Sequence, residues 1–196
     1  MVGVDMYAEN CTLQVVNMAT RVYSETDEEL ACKATQEASA FHELYRRYAA
    51  PVYRYHVAWN GNAPAAQSLT SQTFFEAYSR LAAYRLGGHF VKRIFGIARE
   101  IRKIHGGESG VSFTDTSPGD LEIESLARAI NRLGDDMAEA FVLRFFAGFD
   151  ASEIGLILVK SDAAVKMLVY RGLCALNVLL SSSLEVQNDG QRSLPG

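Results

Sequence analysis

The chain has 196 residues, of which 48% are hydrophobic and 21% charged, with a formal net charge of -4 at pH 7. That apolar share builds real cores and excludes a wholly disordered chain, and the length suits one ordinary domain or two small ones. The three cysteines, Cys11, Cys32 and Cys174, are scattered with no CxxC pair, which excludes a disulfide framework or a cysteine zinc site and fits a reducing compartment.

The net charge hides an uneven distribution. Residues 1–40 carry net -5, residues 41–105 net +7 together with all four histidines, residues 106–160 net -6, and residues 161–196 none. A basic module flanked by acidic segments points to a polyanionic partner. No apolar run approaches the roughly 18 residues of a membrane helix, so no membrane insertion is expected. The start, MVGVDMYAENC, lacks a basic stretch followed by an apolar one, so no signal peptide is expected and the reading is cytoplasmic.

In chain order, residues 1–25 show no sustained period and read as a poorly structured acidic extension. Thr26 to Glu29 (TDEE) is a capping box, so a helix begins there and is expected to run far, with a kink or restart near Pro51. NGNAP at 60–64 is a turn leading Pro64 into a first helical turn. A helix over about 65–82 follows, burying Leu69, Phe74, Ala77, Tyr78 and Leu81. A third, over about 89–105, buries Phe90, Ile94, Ile97, Ile101 and Ile104 and leaves its basic residues on other faces. Residues 106–120 (GGESGVSFTDTSPGD) form the clearest linker, dividing a unit at 26–105 from one at 121–180.

The second unit opens with an amphipathic helix marked by Leu126, Ala129, Ile130 and Leu133. A further helix spans Met137 to Phe146, and DASE at 150–153 is a second capping box, opening a short helix through Leu158. A last helix is expected over about 162–180, with a frayed tail at 181–196. The fold class is therefore all-α. FDASEIGLILVKSDAAVKMLVYRGLCAL has the grammar of a helix-turn-helix: a short capped helix, a turn of about three residues, and a longer helix directing Val165, Leu168 and Leu173 inward. Period alone does not separate it from a plain helical hairpin.

The order of segments resembles the extracytoplasmic-function sigma factors of bacterial RNA polymerase. FHELYRRYAAPVYRY resembles the opening helix of their first domain, LTSQTFFEAYSRLAAYR the segment after it, and FVKRIFGIAREIRK the basic helix beyond. LARAINRLGDDMAEAFVLRFFAGFDASEIGLILVKSDAAVKMLVYRGLCAL resembles their second domain. The resemblance covers residues 41–180 and implies a promoter-specificity factor whose partners are core RNA polymerase and promoter DNA, with an anti-sigma factor as a typical family partner. Carried over by position, Leu69, Thr70, Gln72, Thr73 and Phe74 would face the polymerase. Tyr84, Arg85, His89, Lys92, Arg93, Arg99, Arg102 and Lys103 would face the promoter element nearest the start site. Ser161, Ala164, Lys166, Met167, Tyr170 and Arg171 would face the upstream element.

The sequence departs from the family pattern at several of these positions. Gln67 and Ser68 stand where an acidic pair is usual, and Gln72 where a Glu is; such carboxylates pair with polymerase arginines. Arg93 replaces a Trp, Glu100 an Asn, Gly134 a Pro, and Val159 a Gly common in the turn. These changes leave open a second reading, a degenerate sigma-like protein acting as an autonomous DNA-binding regulator or polymerase decoy. No enzyme is expected: there is no G-x-S-x-G, HExxH, P-loop or paired-carboxylate spacing, and no cofactor or metal is implied. The acidic N-terminal segment is expected to fold back on the basic face, so deleting residues 1–25 should tighten DNA binding at low salt, and unchanged affinity would exclude that contact.

Overall fold

A computed structural model describes residues 25–83, 89–105 and 126–191, and the surroundings of side chains as far as Leu179. The stretch before Glu25, the expected linker at 106–120, and Tyr84 and Arg85 lie outside the described residues. Every regular element within them is helical, and none of these helices is long and apolar enough to cross a membrane.

Helix α1 spans Asp27–Lys33 and starts with the predicted capping box: Glu29 N donates to Thr26 Oγ1 at 3.2 Å, and Thr26 N donates to Glu29 Oε2 at 2.8 Å. It does not run on. Residues 34–36 turn, the Thr35 hydroxyl donating to the Cys32 carbonyl at 2.8 Å, and α2 begins afresh as Ala38–Asn60. The break precedes Pro51, and α2 continues through that proline as one helix. The missing N–H withholds a donor from only one carbonyl, while Pro51, Val52 and Tyr55 are all buried. Asn62 caps α3 (Ala63–Ser79), its side chain accepting from Ala65 N at 2.8 Å, with Pro64 in the first turn.

Helix α4 spans Phe90–His105 and buries Phe90, Ile94, Phe95, Ile97 and Ile101. Two residues expected inside are outside: Tyr78 is 52% exposed and Ile104, in the last turn of α4, is 73% exposed. At Ile104 the period outruns the packed length of α4, whereas Tyr78 is half exposed with its ring edge to face against Phe41, 5.0 Å between centres.

A polar pair lies inside this group of helices. The Thr73 hydroxyl on α3 donates to the Leu69 carbonyl at 2.7 Å, so its oxygen accepts from His56 Nε2 on α2, 3.0 Å away. That leaves His56 Nδ1 as a buried lone pair with no partner, and the ring neutral. Burial, with Arg102 and His105 nearby, lowers the His56 pKa from 6.5 to about 4. The unfolded chain therefore takes up a proton at His56 below about pH 6.5 that the folded chain refuses until about pH 4. Folding stability contributed by the neutral ring falls by about 3 kcal/mol as pH drops through that window. His56→Gln should flatten this part of the acid limb in urea denaturation at stepped pH. Identical limbs for the two proteins would contradict the assignment.

Beyond residue 125, α5 occupies 126–131, α6 is Asp135–Val142, a single π-type turn covers Leu143–Ala147, α7 is Ala151–Leu158 and α8 is Asp162–Gln191. The backbone of α8 thus continues past the expected end at 180, there being no proline before Pro195 to stop it. Its inward stripe is Val165, Gly172 and Leu176, and Leu173, expected in the core, is 44% exposed. Gly172 explains the rotation. A Cβ there would lie 3.4 Å from the Met137 carbonyl oxygen and 3.5 Å from Phe141 Cβ, so α8 lies directly on α6 at this glycine and Leu173 is turned away.

The helices before and after the gap at 106–125 share one continuous core. Phe95 of α4 meets Phe149 edge to face at 4.9 Å between ring centres. Arg54 Nε donates to the Phe146 carbonyl at 2.7 Å, and Asn131 Nδ2 to the Trp59 carbonyl at 3.0 Å.

Candidate nucleic-acid interface

Three surfaces carry the residues singled out in the sequence. On α3, Leu69, Thr73 and Phe74 are buried, and Thr70, also buried, donates its hydroxyl to the Ala66 carbonyl at 2.7 Å. Of the five positions carried over to this helix only Gln72 is exposed. The outward face is Gln67, Ser68, Ser71, Gln72 and Phe75, the last 70% exposed. The buried members set the helix in place, with Phe41 and Tyr45 of α2 meeting Phe74 edge to face. The outward face is polar around two aromatic rings, Phe75 and the half-exposed Tyr78.

On α4 the expected near-element residues divide into two groups. His89, Lys92 and Arg93 line a cleft of about 470 Å³ together with Arg80, Gly96, Ile97 and Glu100. His89 Nδ1 lies 3.4 Å from Glu28 Oε1 of α1. Glu100, the departure noted in the sequence, is 2.9 Å from Arg80 Nη1, and Arg80 Nε is 3.3 Å from Glu76. The carboxylate therefore sits on an arginine instead of facing a polyanion bare, and the cleft keeps an excess of positive groups. Arg80 lies just before the predicted set. Its signal was available in the +7 block, but its position at the end of α3 placed it apart from the α4 motif. Lys103 is exposed.

Arg99 and Arg102 point elsewhere, into the seam with α6. Glu139 of α6 is fully buried there. It accepts from the Tyr55 hydroxyl at 2.7 Å and from Arg102 Nη2 at 3.3 Å, and Arg99 Nε lies 3.1 Å from its Oε1. The Arg102 guanidinium also covers the Trp59 ring, 3.9 Å from its centre. Burial raises the Glu139 carboxyl above the ordinary glutamate range, against the opposing pull of the Tyr55 hydroxyl and the two arginines. Sequence reading missed Glu139 as a functional position. Its signal was a lone carboxylate within the apolar run AEAFV, a placement that demands cationic or hydroxyl partners.

The third surface is built by the turn between α7 and α8. Asp150 and Glu153 cap α7 reciprocally, each bond 2.9 Å. The helix ends at Val159, the one non-glycine residue with positive φ among the described residues (φ 57, ψ 50). That conformation costs a β-branched residue about 1–2 kcal/mol, and the Val159 side chain, 73% exposed, gains little in return. Both Val159 N–H and Lys160 N–H donate to the Gly155 carbonyl, the latter at 3.0 Å, so the chain doubles back over Gly155. Ser161 then caps α8, its hydroxyl accepting from Ala164 N at 3.3 Å. Ser161, Ala164, Lys166, Met167, Tyr170 and Arg171 are all exposed, and Val165 on the opposite side is fully buried. Small residues in the first turn, then two cations and two long flat or flexible side chains, form a face that fits a DNA groove.

A family model described as Sigma-70, region 4 matches residues 123–176. The chain is similar to a Streptomyces coelicolor protein, ECF RNA polymerase sigma factor BldN, with 32% identity over 162 residues, covering 74% of this chain and 61% of that relative. It thus spans about three fifths of the curated relative's own length. CnrH, solved in complex with the cytosolic domain of CnrY, superposes with a TM-score of 0.65 at 20% identity, covering 81% of this chain and 99% of that one. The sigma factor RpoE of Bartonella quintana, solved with the anti-sigma factor NepR, gives 0.54 at 19% identity over 72% of this chain and 96% of that one. At those identities the two structural likenesses concern the fold.

Proposed function

We propose that this chain, which is similar to an extracytoplasmic-function sigma factor over 74% of its length and matches the Sigma-70 region 4 family over residues 123–176, binds core RNA polymerase and directs transcription initiation by recognising two promoter elements. In this reading residues 26–105 form the polymerase-binding and near-element domain and residues 121–180 the upstream-element domain. The outward face of α3 around Gln72 and Phe75 meets the polymerase. The α4 cleft with His89, Lys92 and Arg93 takes the near element. The α8 face from Ser161 to Arg171 enters the groove of the upstream element. The family acts in transcription and is not enzymatic, and no catalytic step is assigned to this chain. An anti-sigma factor is a further proposed partner, as RpoE has in NepR.

The observation that carries the reading is the α8 face: all six carried-over residues are exposed on a helix fixed from behind by Val165, Gly172 and Leu176. One observation favours a second reading, an autonomous regulator or polymerase decoy. Gln67, Ser68 and Gln72 are exposed and uncharged, so the α3 face lacks the carboxylates that would pair with polymerase arginines. Gel filtration of the chain with core RNA polymerase at moderate salt, followed by run-off transcription with the complex, separates them. Co-elution with new run-off transcripts supports the sigma reading, and co-elution without them supports the decoy. A folded chain that elutes alone and still retains duplex DNA supports the regulator.

A further inference from the structure

The seam between the two groups of helices is sealed around one charge. Glu139 comes from α6, but the groups that hold it, Tyr55 on α2 and Arg99 and Arg102 on α4, belong to the other side. The flanks of the same seam are the Phe95–Phe149 contact and the Arg54 bond to the Phe146 carbonyl. A buried carboxylate is tolerated only while its partners stay, and the mostly buried Arg102 needs a counter-charge equally, whereas the Arg99 side chain pairs with Glu139 while keeping 31% of its surface exposed. A carboxylate and a phosphate offer a guanidinium the same kind of charged acceptor oxygens.

We propose that Glu139 is an internal substitute for DNA phosphate, and that the closed arrangement withholds Arg99 and Arg102 from the near element until the two groups of helices separate. This rests on the reading of those arginines as near-element groups. The block is selective. Closure leaves Lys166, Met167, Tyr170 and Arg171 of α8 exposed, so the upstream-element face stays usable while part of the near-element face does not. A partner that opens the seam therefore adds near-element binding to a chain already competent for duplex DNA.

The test uses the full chain and two variants. Glu139→Gln keeps the volume and leaves both guanidiniums without a counter-charge. Arg54→Ala removes the Phe146 contact and leaves Glu139, Arg99 and Arg102 intact, so it serves as well if the first variant folds poorly. Dimensions are read by small-angle X-ray scattering. Binding is read by anisotropy of a labelled mixed-sequence single strand and, separately, a mixed-sequence duplex at one fixed salt concentration. The expected result is a larger radius of gyration, at least tenfold tighter single-strand binding and duplex binding changed less than twofold. Unchanged dimensions and unchanged single-strand affinity, in a chain that binds DNA, overturn the inference alone. Opening without any gain in single-strand binding overturns both the inference and the DNA assignment of Arg99 and Arg102.

Discussion

Phe95→Ala is expected to destabilise the chain by about 3–5 kcal/mol, the range for removing a fully buried phenyl ring. Phe95 has no exposed surface, and its ring meets Tyr55 at 5.6 Å and Phe149 at 4.9 Å, both edge to face. The void would open where core from both groups of helices meets. Neighbours on two sides are themselves large rings fixed by their own contacts, so collapse into the space is limited. Chemical denaturation reads the loss, with Phe75→Ala as the control. Phe75 is 70% exposed, and its removal should change stability by less than about 0.5 kcal/mol. A Phe95→Ala variant within about 1 kcal/mol of the parent would mean that the seam is not packed as described.

Gly155→Ala is expected to run against the ordinary rule for helices. Alanine in place of an interior helical glycine normally gains about 1 kcal/mol. At Gly155 a Cβ would lie 2.7 Å from the Lys160 carbonyl oxygen, a backbone atom that moves only if the turn moves. That oxygen belongs to the turn whose N–H groups at Val159 and Lys160 close back on the Gly155 carbonyl. The expected net cost is about 1–3 kcal/mol, and the turn shift should weaken duplex binding at least tenfold by tilting α8 against α6 and α7. Thermal denaturation and duplex anisotropy measure the two effects. A variant as stable as the parent, with unchanged duplex affinity, would mean that the turn has room the geometry denies.

Much of this fold was legible because the punctuation was local. The capping boxes at Thr26 and Asp150 and the turn before Pro64 were read from a few residues each, and residues of those stretches make the capping hydrogen bonds. Errors arose where position depends on a neighbour. Pro51 was expected to interrupt α2, but packing on both sides holds the helix through it. Leu173 was expected inside by period, and the close approach at Gly172 turns it outward. The candidate site was legible as chemistry more than as geometry. The basic block located α4, yet sequence could not tell Lys92, which lines the cleft, from Arg102, which lies across Trp59 and Glu139. The distinction requires knowing which helix packs against α4, and that pairing joins residues 37 apart in the chain.

In the proposed reading, this chain gives core RNA polymerase a choice of start sites through α4 and α8. The most direct measurement is mapping of transcript 5′ ends made by core polymerase, with and without the chain, on genomic DNA of its own source. Discrete starts are expected that appear only with the chain and disappear when Lys166 and Arg171 are both changed to Ala. Transcripts identical with and without the chain, or chain-dependent starts indifferent to those two substitutions, would contradict it.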